Sequence, residues 1–99
     1  MEITKTENNA TTVLSLSGRL DTTTAPQLQD VLIPALDEAA EIVLDFAALA
    51  YVSSAGLRVL LTGQKTAKAK NVSMIIRNVS EEIAEVFDMT GFSDILTIE

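Results

Sequence analysis

The sequence predicts an α/β fold, with a mixed and mainly parallel sheet of about four or five strands and about three or four helices, in the order β-β-α-β-α-β-α-β. Three observations carry this. The runs Ile42-Val43-Leu44 and Val72 to Ile76 are apolar without alternation, as in parallel strands covered on both faces. Other segments repeat apolar residues at i, i+3 and i+4, the spacing of one helix face. Strands and helices alternate across short connections, with no linker or repeat, which implies right-handed crossovers within one domain over residues 1–99.

Glu2 to Glu7 alternates weakly and reads as a short edge strand, with Asn8-Asn9 turning into the next run. Thr11 to Ser17 is the clearer strand, ended by Gly18. A loop rich in side-chain oxygens, Arg19 to Pro26, leads to a helix that begins at Thr24, with Gln27 at capping-box spacing and Pro26 in the first turn. Its stripe is Leu28, Val31, Leu32, Ala35, Leu36 and Ala39. Pro34 falls on the polar side, where a bend curves the helix around the core. Glu41 to Phe46 is the central strand, and the second helix runs from the Ser53-Ser54 loop to about Lys70. After Val72 to Ile76, Asn78 or Ser80 caps a third helix with Glu81 and Glu82 in its first turn and Ile83, Val86 and Phe87 on its buried stripe. Gly91 stops it, and Ile95 to Ile98 reads as a last strand.

Apolar residues make up 47% of the 99 and aromatics 4%, so the core is expected to be aliphatic. The absence of cysteine removes disulfides, thiolate metal sites and a cysteine nucleophile together. No basic segment followed by an apolar stretch opens the chain, and no apolar run approaches the roughly 18–20 residues of a membrane span, so a cytoplasmic protein without membrane insertion is expected. A net charge of −7 argues against a nucleic-acid partner. Its distribution says more. Arg58, Lys65, Lys68, Lys70 and Arg77 lie in a stretch with no acidic residue, leaving a balance of −12 elsewhere. That stretch is either a solvated helix face or an electrostatic docking patch.

The stretch Tyr51-Val52-Ser53-Ser54-Ala55-Gly56-Leu57 is the candidate functional segment, because it places two hydroxyls at a helix start between small residues. A phosphate on either serine would meet the free N–H groups and positive dipole end of that helix. Without histidine, neither a Ser-His-Asp triad nor a histidine metal site forms. Val52 and Leu57 break the G-x-S-x-G and Ser-x-x-Lys patterns, and no glycine-rich phosphate loop occurs. Asp21 and Asp45 remain as a carboxylate pair for metal or acid–base work, or as residues that hold local backbone. The expectation is no catalytic residue, no cofactor and no metal. Sequence logic places Asp45, the Ser53-Ser54 loop, the Asp21 loop and Asn78 together at the carboxyl ends of the strands.

Three stretches resemble the STAS domain family of anti-sigma factor antagonists and sulfate-transporter domains. They are Val43-Leu44-Asp45-Phe46 followed by Val52 to Leu60, Gly18-Arg19-Leu20-Asp21 with Ala25-Pro26, and Val86 to Phe92. The resemblance implies partner switching, in which the antagonist binds an anti-sigma factor that is also a serine kinase, and phosphorylation ends the binding until a phosphatase restores it. By motif position the acceptor is Ser54, with Ser53 as the alternative. Asp21, Thr23, Ser53, Ser54, Gly56, Arg58 and Asn78 are the expected partner contacts. Two positions depart from the family pattern: Ser53 stands where many phosphorylated members carry Asp, and Arg58 where they carry a small residue. The other readings are an unmodified accessory subunit of a membrane transport complex and a nucleotide- or anion-binding regulatory domain.

Overall fold

Four strands and three helices follow the predicted alternation in a computed structural model that describes residues 1–99. In chain order they are β1 (Glu2–Asn8), β2 (Thr11–Leu20), α1 (Ala25–Leu36), β3 (Glu41–Val52), α2 (Ser54–Ala69), β4 (Ser73–Arg77) and α3 (Glu81–Thr90), then a short 3₁₀ helix (Phe92–Asp94). The sheet order is β1-β2-β3-β4, with the first pair antiparallel and the other two parallel. The hairpin turns at Asn9, whose φ of 57° is one that asparagine tolerates better than most residues.

Register explains where the core sits. Thr12, Ile42 and Met74 form one row across the sheet and Leu14, Leu44 and Ile76 another, and all six are buried. The helices lay their stripes on these rows, so that Leu28, Leu32, Leu57, Leu60, Ile83 and Phe87 join the same core. Val43 belongs to the opposite face. It is buried yet stands outside that core, shielded by its half-buried row neighbours Val13 and Ile75. The unbroken apolar run of β3 therefore comes from its central position in the sheet, not from helices on both faces.

Three sequence expectations are corrected. The segment from Ile95 to Ile98 is no strand, because Ile98 makes one isolated parallel bridge, to Ile76. The capping box at Thr24 does not form. The Thr24 hydroxyl instead accepts from the Asp21 N–H and donates to the Arg19 carbonyl, both at 2.8 Å, while the Gln27 amide donates to the Met1 carbonyl. Both parallel strands also outrun their apolar cores. β2 passes through Gly18 (φ +97°), beside a register shift, to Leu20, and β3 continues past Phe46 to Val52. Ser80, not Asn78, caps α3, accepting from the Ile83 N–H at 3.3 Å. Pro34 is exposed within an α1 that continues as one helix.

Candidate functional site

The strand extensions build the site. Beyond its last residue paired with β4, Asp45, β3 is held by β2 alone, and the two strands end together at the Leu20–Val52 pair. The chain then turns into α2 through Ser53, whose N–H donates to the Leu20 carbonyl at 2.8 Å. Ser53 is extended (φ −92°, ψ 175°), and its hydroxyl accepts from the Gly56 N–H at 3.3 Å, which makes it the N-cap. Ser54 is the first residue inside the helix. It is exposed, and its hydroxyl makes no hydrogen bond. The two adjacent serines therefore differ: one oxygen holds the helix start and the other is free.

Gly56 is not a surface contact. It is buried against β2, where a Cβ would lie 2.7 Å from Leu20 Cγ and 3.1 Å from the Leu20 carbonyl oxygen. Arg58 is exposed one helical turn past Ser54. It lines a cleft of about 380 Å³ between α1 and α2, with Thr22 and Asp30 on the other side, and forms no ion pair. Two residues that lie within the motif stretches but carry no predicted role of their own also stand beside the site. Arg19 lies 4.2 Å over the ring of Tyr51, its partner in register, and Tyr51 is 41% exposed. Their facing places in the β2–β3 ladder were the signal that would have found them.

Asp21 shapes the neighbouring loop. Its carboxylate accepts from the Thr23 hydroxyl at 2.7 Å and from the Thr23 and Thr24 N–H groups at 3.0 and 3.2 Å, and Arg19 Nε lies 3.8 Å away. The Thr23 hydroxyl and then these backbone donors hold its pKa below the usual 3.8 despite some desolvation. Asp45 is engaged elsewhere. It accepts from the Asn78 side-chain amide and the Ala47 N–H, each at 3.0 Å, and these bonds, with Arg77 nearby, hold its pKa below 3.8 too. The expected single cluster thus separates into two. Five residue steps of β2, from Ser15 to Leu20 and roughly 17 Å of strand, separate the row of Asp45 from the row of Val52, so Asn78 stays with Asp45 and away from Ser54. Asp21 and Asp45 are not a pair. Each holds backbone, and no cluster of three acidic groups suited to a metal occurs.

The sign of the pH effect follows. Both folded-state pKa values are lowered, so the stability these carboxylates contribute is complete above about pH 4 and lost as pH falls through the folded values. Asp45→Asn is expected to make the acid limb of thermal stability, followed by circular dichroism below about pH 4, shallower than in the parent chain. An unchanged slope would remove Asp45 from the acid response.

Known proteins share this fold. A model of the STAS domain family matches residues 2–99. The chain is 31% identical over 85 residues to the anti-sigma-B factor antagonist of Bacillus subtilis, covering 86% of this chain and 78% of that one. It is 30% identical to the anti-sigma-B factor antagonist of Staphylococcus epidermidis, covering 86% and 80%. Among solved structures it superposes on the anti-sigma factor antagonist SpoIIAA in its unphosphorylated form with a TM-score of 0.83 at 21% identity, over 99% of this chain and 88% of that one. An anti-sigma factor antagonist from Mycobacterium paratuberculosis gives 0.84 at 21% identity, over 98% and 83%. With its α/β order, its serine pair at the start of α2 and a family match across nearly the whole chain, the protein belongs to the STAS domain family.

Proposed function

We propose that this chain is an anti-sigma factor antagonist, switched by phosphorylation of Ser54. The observation that carries the reading is the division of labour between the serines, since Ser54 offers an exposed, unbonded hydroxyl while Ser53 is spent on the cap. The names of the relatives at 30–31% identity support the antagonist role. The unmodified chain binds an anti-sigma factor that is also a serine kinase, acting as its substrate and not as a catalyst. A phosphatase returns it to the binding form, and the cycle runs in the cytoplasm.

The contact surface is the ground around Ser54: the Asp21–Thr23 loop, the rim of Ser53, and Arg58 at the mouth of the α1–α2 cleft. A neutral hydroxyl fits a close protein contact. A phosphate brings nearly two negative charges and their water, and in a surface matched to the hydroxyl that means repulsion and desolvation. Gly56 supports this ground from below, while Asn78, bonded to Asp45, lies outside it.

Phosphate mapping by mass spectrometry on protein from its native host, beside binding of the co-purifying anti-sigma factor, tests the reading. Phosphate is expected on Ser54 and is lost in Ser54→Ala, which still binds. Ser54→Glu is expected to bind at least about tenfold more weakly, or roughly 1.4 kcal/mol. A chain that is never modified, and whose Ser54→Glu form binds normally, would instead be a permanently docked subunit.

A further inference from the structure

The largest cavity of the molecule lies away from Ser54. It is an open cleft of about 770 Å³ between the C-terminal half of α2, the outer edge of β4 and the segment after α3. Ser54 and Lys65 are eleven residues apart on one helix, roughly 16 Å, so the cleft and the serine site are separate surfaces.

Four features of the cleft point to one kind of occupant. Its wall is apolar at Leu61, Val72 and Ile95, and Ile95 remains 46% exposed. Lys65 and Lys68 stand on its rim one helical turn apart, and neither takes part in any of the three ion pairs, whereas Lys70 is already paired with Asp37. Gln64 also lines the cleft, and its Oε1 is buried with no hydrogen-bond partner, an acceptor that lacks an N–H or O–H donor. Lastly, the cleft runs along a sheet edge. β4 is the last strand, and beyond it the chain offers one bridge, at Ile76, leaving the start of the strand with no strand opposite.

We propose that this cleft docks an extended acidic peptide segment of a partner protein. An extended segment supplies all that the cleft lacks: carboxylates for Lys65 and Lys68, apolar side chains against Leu61, Val72 and Ile95, and a backbone N–H for Gln64 Oε1. Asp94 on the same cleft argues against a simple carboxylate amphiphile, because it would repel a lone headgroup. A peptide strand can place its acidic residues at the lysines and its N–H groups at Asp94. Charge favours this partner: the cleft carries Lys65 and Lys68 against Asp94, a surplus of one positive charge on a chain of net charge −7, so an acidic segment is drawn to the lysine rim.

The test is a titration of the isotope-labelled full chain, followed by amide chemical shifts, with a short capped peptide alternating glutamate and leucine, its lysine–leucine counterpart, and decanoate. The glutamate peptide is expected to shift the signals of Leu61 to Lys68, Val72 to Met74 and Asp94 to Thr97 while leaving Ser53 to Gly56 unmoved. Its affinity falls at least about tenfold in the exposed double variant Lys65→Glu, Lys68→Glu, and also falls in Gln64→Leu. No response, an equal response to the lysine peptide, or a matching response to decanoate would overturn the proposal. So would concentration-dependent shifts of these signals without peptide, which would make a second copy the occupant. None of these outcomes depends on whether Ser54 is phosphorylated.

Discussion

Phe87→Ala is expected to lower folding stability by about 3–5 kcal/mol, the range for removing a fully buried aromatic ring. Phe87 is completely buried, and its ring lies 6.5 Å from that of Phe46 at 43°. The loss is large because of where the ring sits. α3 has ten residues and fully buries only two of them, Ile83 and Phe87, so alanine leaves a cavity and also removes one of the helix's two fully buried anchors. A chain of this size has a total stability of the order of 5–15 kcal/mol, so the variant should be partly unfolded or close to it at moderate urea. Val86→Ala, one position along and half-buried, is the control and should cost less than about 1.5 kcal/mol. Similar urea midpoints for the two variants would mean that α3 is held by something other than the Phe46–Phe87 contact.

Gly56→Val is the second large effect, with an expected loss of at least about 3 kcal/mol from overpacking. A Cβ at this position meets Leu20 Cγ at 2.7 Å, Leu20 Cδ2 at 3.0 Å and the Leu20 carbonyl oxygen at 3.1 Å. The Leu20 carbonyl cannot retreat as a side chain can, because it is backbone and accepts from Ser53 N–H at 2.8 Å. Separating α2 from β2 would strain that bond and the cap beside it. Even Gly56→Ala should lose about 1–3 kcal/mol, although alanine is the better helix former by about 1 kcal/mol. Gly63 offers the comparison. Its added Cβ meets Leu32 Cδ2 at 2.6 Å, the far end of a side chain, and no backbone atom is among its nearest contacts. Gly63→Ala should therefore be milder than Gly56→Ala in chemical denaturation, and the reverse order would refute the packing role given to Gly56.

What could be read in advance follows from how local each signal is. The stripes Leu28-Leu32-Ala35 and Leu57-Leu60, the apolar runs of β3 and β4, and the stop at Gly91 depend on near neighbours in the chain, and the structure follows them. The misreadings arose where another group took the bond that the local pattern offered. Thr24-x-x-Gln27 fits a capping box, but the Asp21 carboxylate takes the Thr24 N–H and the Gln27 amide donates to the carbonyl of Met1, 26 positions away. Ile95, Leu96 and Ile98 are apolar enough for a strand, yet β4 and the segment after the 3₁₀ helix meet at one residue. At the site, the sequence marked the serine pair but could not divide the roles. The cap falls to Ser53 because its N–H is fixed to Leu20, a contact 33 positions away. Asn78 looked like part of the same cluster because topology gathers strand ends, but β3 runs on well past the end of β4.

That overhang of β3 divides its residues between surface and core. From Ala47 to Val52 the strand has a neighbour on one side, and Ala47, Ala48, Ala50 and Tyr51 face solvent while Leu49 and Val52 anchor it in the core. Mutations at Ala47, Ala48 and Ala50 remove no core contact and should cost little, since surface changes of this kind usually fall within about 0.5 kcal/mol, whereas a change at Tyr51 also removes its contact with Arg19. The surface beside Ser54 and the packed rows beneath it are therefore separable: side chains on the first can be exchanged without disturbing the second.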